Sequence, residues 1–108
     1  MSRLAYRYKF RNDRVLGEAS SALQVAVVAV AGLLGASQVR LDTGWVVDES
    51  ICTLVVDAGT VAGVALNRIF LMFLTAGIGA SAFDVRRVEP VGAMAMTGMY
   101  ISGLAVSE

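Results

Sequence analysis

The chain begins with a period-two pattern of apolar and polar side chains. Leu4, Tyr6, Tyr8 and Phe10 alternate with basic residues, which is typical of a half-buried strand and predicts one over residues 3–11. Alternation from Gln38 through Val47, a β-branched run over 51–57 and alternation over 82–88 predict three more strands. We therefore expect four strands, and Asp48, Glu49 and Ser50 form the tip of a hairpin between the second and third.

Two longer segments have a helical pattern instead. Residues 19–39 contain no charged residue, and Leu23, Val27, Val30 and Leu34 fall on one stripe at helical spacing. With Gly17 as a break, this predicts a first helix over about 17–35. Thr60 is a good N-cap for a second helix that continues to about Ala76. Both helices carry apolar residues on the side opposite their core stripe.

The predicted order is strand, helix, strand, strand, helix, strand. This order favours an α+β fold of the ferredoxin-like βαββαβ type, a four-stranded antiparallel sheet with two helices on one face and strands one and three in the centre. Strand parity then places the aromatic residues under the helices. The opposite face would carry a set of charged residues of both signs: Arg7, Lys9, Arg11, Arg40, Asp42, Asp57, Asp84 and Arg86.

The end of the chain differs in composition from the rest. Residues 1–89 contain all of the predicted elements, and we interpret them as one α+β domain. Residues 90–108 form a tail that is apolar and rich in glycine and methionine. Its glycines make a free-standing helix unfavourable, so the tail is expected either to order against a partner or to be flexible.

Candidate chemistry is sparse. The sequence has no histidine and a single cysteine, Cys52, which excludes histidine-based catalysis, histidine metal sites and an internal disulfide. Cys52 is interpreted as a small buried thiol. GIGASA at 77–82 has the letters of a dinucleotide loop but follows a helix and precedes a strand, which is the wrong context. No catalytic, cofactor or metal residue is assigned, and we expect a protein that is not an enzyme.

The apolar composition indicates that the outer sides of the two helices form an interface. The chain is 56% hydrophobic, above the ~45–50% of ordinary soluble domains. Apolar surface on the far sides of both helices exceeds what a monomer usually exposes, and an apolar patch with one arginine and nearby methionine is typical of an interface. The sequence thus predicts a cytoplasmic assembly or adaptor protein that self-associates or binds a protein partner through one set of residues: Val25, Val28, Gly32, Ala36, Val64, Arg68, Leu71 and Met72.

Two alternatives belong to other classes. The first is a small integral membrane protein with two or three spans near 19–39, 61–80 and 90–107, and the basic residues before the first span suit a cytoplasmic N-terminus. The second is an RNA- or anion-binding module that uses the basic sheet face. Nucleic acid is disfavoured because the aromatics share the helix side of the strands and no RNP1-like segment occurs.

Overall fold

The computed structural model describes residues 4–89, which form four strands and three helices. In chain order the elements are β1 (Ala5–Phe10), α1 (Asp13–Leu34), α2 (Ala36–Asp42), β2 (Trp45–Asp48), β3 (Thr53–Asp57), α3 (Val61–Gly77) and β4 (Phe83–Val88). Short 3₁₀ turns at Glu49–Ile51 and Ala80–Ala82 lead into β3 and β4. The predicted tail at 90–108 lies outside the described residues.

The strands form one antiparallel sheet in the order β2-β3-β1-β4. This order confirms the prediction that the first and third strands are central. Tyr8 lies opposite Leu54 on one side and Val85 on the other, which places all three on the same face. Arg7 lies opposite Val55 and Arg86 on the other face. The aromatic and charged residues of β1 therefore separate between the two faces as their alternation predicted.

The predicted ferredoxin-like βαββαβ fold class is wrong. Two consecutive helices, α1 and α2, precede β2, and the structure has three helices where two were predicted. The α+β class and the antiparallel four-stranded sheet remain correct. The residues responsible for the error are those of the segment 36–42, which alternates in sequence but is helical in the structure.

The burial of α2 explains why its alternation was misleading. Val39 is 4% exposed and Leu41 is 81% exposed. Residues two apart point to the same face of a strand but lie about 200° apart around a helix, so this pair fits the helix and not the strand. Arg40 and Asp42, predicted on the charged sheet face, accordingly lie in α2. Gly35, with a φ of 97°, separates α1 from α2.

The first helix begins earlier than predicted. The side chain of Asn12 accepts a hydrogen bond of 2.9 Å from the backbone N–H of Val15, which caps α1 at its N-terminus. Val15 and Leu16 are buried in this first turn, whereas Gly17 is exposed. The helix continues through Gly17 because the burial of two apolar side chains exceeds the ~1 kcal/mol cost of one helical glycine.

The core lies between the helices and one face of the sheet. Its largest fully buried side chains come from β1, β3, α1 and α3: Tyr8, Phe10, Phe70, Leu23, Leu54, Leu66, Leu74, Val30 and Val56. The rings of Tyr8 and Phe70 meet edge to face at a centroid distance of 4.9 Å. The phenol of Tyr8 donates a hydrogen bond to Asn67 Oδ1, so the buried amide of α3 has a partner.

A glycine allows α3 to approach the end of β3 closely. A Cβ atom at Gly63 would lie 2.4 Å from the backbone oxygen of Asp57, so this position excludes any side chain unless the backbone moves. Thr60 caps the helix by accepting a hydrogen bond from the Gly63 N–H at 2.9 Å. Its hydroxyl also donates to the backbone oxygen of Asp42 at 2.5 Å, which joins the start of α3 to the end of α2.

Candidate interaction surface

The outer helix surface is defined here as the solvent-facing side of α1 from Ala19 onward and of α3. These two helices pack side by side over the sheet. Large apolar side chains on this surface face water, with Val25 57%, Val28 71% and Met72 66% exposed. Between Ala19 and Leu34 α1 has no charged residue, and Arg68 is the only charged residue of α3. The surface is therefore apolar and nearly uncharged.

The spacing of α1 explains why both of its sides are apolar. Its inward positions follow the helical repeat and include Ala19, Leu23, Ala26 and Val30, all at or below 1% exposure. Sheet packing accounts for this stripe but covers only one side of a cylinder about 10 Å wide. The opposite stripe carries valine where a surface helix ordinarily carries charged residues, and nothing within residues 4–89 covers it.

The structure places most of the predicted interface residues on this surface. Seven of the eight lie on α1 or α3, and six of those seven are exposed: Val25, Val28, Gly32, Val64, Arg68 and Met72. Leu71 is half-buried and packs against the core. Ala36 is exposed, but it is the first residue of α2 and not part of α1 as predicted. Gly35 changes the chain direction before Ala36, which removes it from the α1 stripe.

Three exposed apolar residues lie outside the predicted interface set. Leu33 is 75% exposed, Leu41 81% and Val61 74%, each more than Val28. The hydrogen bond from Thr60 to Asp42 places the chain neighbours Leu41 and Val61 at the junction of α2 and α3. Leu41 could be identified only by knowing that α2 is a helix. Val61 directly follows the predicted cap, where its exposure at the first helical position was foreseeable.

A cleft of about 330 Å³ opens between α1, α2 and β2. Its walls are formed by Val27 and Ala31 of α1, together with Ala36, Val39, Arg40, Thr43 and Trp45. The lining is largely apolar, and Arg40 supplies its only charge. No carboxylate faces the arginine there, so the cleft has neither an acid and base pair nor a nucleophile.

The single cysteine is poorly suited to nucleophilic chemistry. Cys52 is half-buried at a φ of 53°, not fully buried as the sequence suggested. Its thiol donates a hydrogen bond of 3.1 Å to Asp13 Oδ1, and this bond, with burial and the carboxylate charge, raises the pKa of Cys52. A raised pKa reduces the thiolate fraction at neutral pH. Among residues 4–89 no three acidic or cysteine side chains cluster as metal ligands.

Comparisons with known proteins add no assignment. No protein-family model matches the chain, and neither a curated protein nor a solved structure does. In the described part of the chain one helix, Asp13–Leu34, has the length and composition of a membrane span, with a mean hydropathy of 1.6 and a third of its apolar window buried. The apolar helix Val61–Gly77 is shorter. The outer helix surface is thus the main feature from which a function can be argued.

Proposed function

We propose that this chain is a non-enzymatic, cytoplasmic assembly protein in which the outer helix surface pairs with the same surface of a second copy. The observation that supports this proposal is the exposure of Val25, Val28 and Met72 on a surface with one charged residue. Contiguous apolar patches of this kind on soluble proteins mark interaction sites. A single reduced cysteine is consistent with the cytoplasm but does not by itself require it.

The spacing of the exposed residues supports a helical partner. Ser21, Val25, Val28 and Gly32 are exposed and follow one another by four, three and four residues. This is the spacing of the seam positions in a heptad repeat, by which two helices pack along their length. The seam runs over about 11 residues, or roughly 17 Å of helix. A neighbouring helix with the same spacing can interdigitate with it.

The composition of the surface favours a second copy over an unrelated partner. Small residues at both ends of the seam, Ser21 and Gly32, allow two α1 helices to approach closely across a two-fold axis. Arg68 is the only charged residue of the outer helix surface, and the chain as a whole has a formal net charge of zero. Two copies therefore meet without long-range repulsion, and a strongly charged partner would gain little steering.

Mass measurement on the full-length chain tests the proposal directly. Size-exclusion chromatography with light scattering should give a particle of twice the 11.3 kDa chain mass. Val28→Glu should shift the particle to a monomer, because Val28 lies within the seam and the dimer would bury both introduced carboxylates without a partner. A wild-type chain that stays monomeric at the highest soluble concentration contradicts the proposal.

A matched variant separates loss of the interface from loss of solubility. Ile51 is another exposed apolar residue, at 40% exposure, and it lies in the 3₁₀ turn before β3, away from the outer helix surface. Ile51→Glu introduces the same charge and should leave the dimer mass unchanged. If Ile51→Glu dissociates the particle as well as Val28→Glu does, the charge acts generally and the outer helix surface is not the interface.

The integral membrane protein is the second candidate, and the length of α1 is the observation that favours it. Of its proposed spans, 19–39 is interrupted at Gly35, 61–80 contains the 17-residue α3, and 90–107 lies outside the described residues. Six residues of α1 are buried in the domain, which leaves only one side for lipid. Carbonate extraction of expressing cells distinguishes the two: recovery in the soluble fraction rejects the membrane protein, and retention in the pellet rejects the soluble dimer.

A further inference from the structure

The face of the sheet opposite the helices holds a small basic cleft. Four side chains line it, Arg7 and Lys9 from β1 with Asp84 and Arg86 from β4, around a volume of about 150 Å³. The antiparallel register explains their meeting, because Arg7 lies opposite Arg86 and Lys9 lies opposite Asp84 on the same face. The lining therefore has three basic side chains and one acidic side chain.

The guanidinium of Arg7 has an unsatisfied donor here. Its Nη1 is buried, yet among residues 4–89 it has no hydrogen-bond partner. Buried polar atoms almost always have partners, and a guanidinium offers a planar fork of donors that matches the oxygens of a carboxylate or phosphate. The carboxylate of Asp84 does not fill this role, since it accepts no hydrogen bond from this Nη1.

We propose that this cleft binds one compact oxyanion, a phosphate group, through Arg7 with Lys9. The charges favour an anion, because Arg7 and Lys9 are both cationic and a phosphate oxygen accepts charge-assisted hydrogen bonds from such groups. Lys9 has spare donors: its Nζ donates to the backbone oxygen of Ile51 at 2.8 Å, which uses one of three. This site is independent of the outer helix surface, which lies on the other side of the sheet.

The neighbouring surface leaves room for an organic substituent on the phosphate. A second cleft of about 360 Å³ shares Lys9 and Asp84 with the first and continues past Arg11, Ser81 and Phe83. Arg11 is held there by a hydrogen bond of 2.7 Å from Nη2 to the backbone oxygen of Ser81. Free phosphate and a phosphate monoester therefore share the same anion chemistry and differ in whether they reach this second cleft.

Single-stranded RNA is a less suitable ligand for this face. Proteins that bind single strands stack the bases on aromatic side chains. Tyr6 and Tyr8 share the parity of the helix side, and Tyr8 is fully buried in the core. Within residues 4–89, the aromatic side chains of β1 therefore lie on the face opposite its basic residues.

Equilibrium dialysis of the full-length chain against radiolabelled inorganic phosphate tests the proposal, in chloride buffers of matched ionic strength. We expect saturable binding to one site, weakened roughly tenfold or more by Arg7→Met, as for loss of a charge-assisted hydrogen bond. Arg87→Met is the matched control: Arg87 is exposed on the neighbouring strand β4, but its parity places it on the helix side, so binding should be unchanged. Circular dichroism confirms the fold of each variant.

A second variant, a phosphate monoester and an RNA competitor extend this experiment. Lys9→Gln, at an exposed residue, should also weaken binding if Arg7→Met fails to fold. Tighter binding of phenyl phosphate than of phosphate supports a monoester ligand, and equal binding supports the free ion. No saturable phosphate binding, or equal losses in Arg7→Met and Arg87→Met, overturns the proposal. Displacement of phosphate by a single-stranded RNA at far lower concentration, with a steep salt dependence, overturns it in favour of nucleic acid.

Discussion

The two faces of the sheet are built from the same strands but are stabilised differently. On the helix side, Tyr8, Leu54 and Val56 are fully buried among side chains from the three helices. On the far side, a small apolar cluster of Ala5, Val55 and Val88 lies beside the charged residues of β1 and β4. Val55 and Val56 are adjacent in β3 and both are buried, but Val56 belongs to the large core under the helices and Val55 to the three-residue cluster. The far side thus combines a small apolar cluster with charged residues.

The largest effect is expected where α3 meets the sheet. Gly63→Ala should destabilise the protein by about 3 kcal/mol, because the added methyl group collides with the Asp57 backbone oxygen at 2.4 Å and α3 must move off the sheet. Urea denaturation gives the free energy of unfolding. Gly17→Ala in α1 is the control, since no atom lies within 4 Å of its added Cβ, and it should be stabilising by up to ~1 kcal/mol. Equal effects would show that α3 approaches β3 less closely than described.

Adjacent valines of β3 provide the most direct comparison of the two faces. Val56→Ala, on the helix side, should cost about 2 kcal/mol, from two lost methyl groups at ~0.8 kcal/mol each and the cavity left behind. Val55→Ala makes the identical change on the far side, where its apolar cluster has three members, and should cost about 1 kcal/mol. Urea denaturation of both variants measures the difference. A greater loss for Val55→Ala would reverse the assignment of the main core.

A smaller effect is expected from the polar pair inside the helix-side core. Tyr8→Phe keeps the ring but leaves Asn67 Oδ1 buried without its donor, which should cost about 1–2 kcal/mol. Combining Tyr8→Phe with Asn67→Leu removes both polar groups and should recover part of this loss. If the double variant is no more stable than the single one in urea denaturation, the hydrogen bond is not the source of the effect.

The same tyrosine should make the protein less stable at alkaline pH. Burial, with a further contribution from Tyr6, raises the pKa of Tyr8 well above its usual range. A raised pKa in the folded state means that the contribution of Tyr8 to stability is fully present below pH ~10, the ordinary tyrosine pKa, and is lost as the pH rises through the folded pKa. Tyr8→Phe should therefore show a shallower loss of stability above pH ~10 than the wild type, and parallel profiles would contradict this.

Much of the sheet could be predicted from local pattern, and one helix could not. The alternation of β1 correctly separated Tyr8 from Arg7, and Thr60 was correctly identified as a cap. In the segment 36–42 the same kind of alternation was misleading, because seven residues are too few to distinguish the strand period of 2 from the helix period of 3.6. Gly35 does not help, since a glycine is as compatible with a loop as with a junction between two helices. Only the burial of Val39 and the exposure of Leu41 distinguish the two.

The candidate sites show the same limit. The apolar outer side of α1 could be predicted, because a helix without charges has no polar side to present to water. For the cleft around Arg7, the sequence could predict only which residues share a face of the sheet, since strand parity places Arg7, Lys9 and Arg86 together. Parity does not predict that one guanidinium nitrogen of Arg7 is buried.

The sequence by itself determined which residues of each strand share a face and where α1 and α3 are apolar, because these depend on side-chain periods of 2 and 3.6 along a single element. The tertiary structure alone decided that 36–42 is a helix, that Gly63 lies against the Asp57 backbone and that Arg7 Nη1 is buried without a partner among residues 4–89. Those outcomes depend on distances between residues far apart in the chain, which no local period encodes.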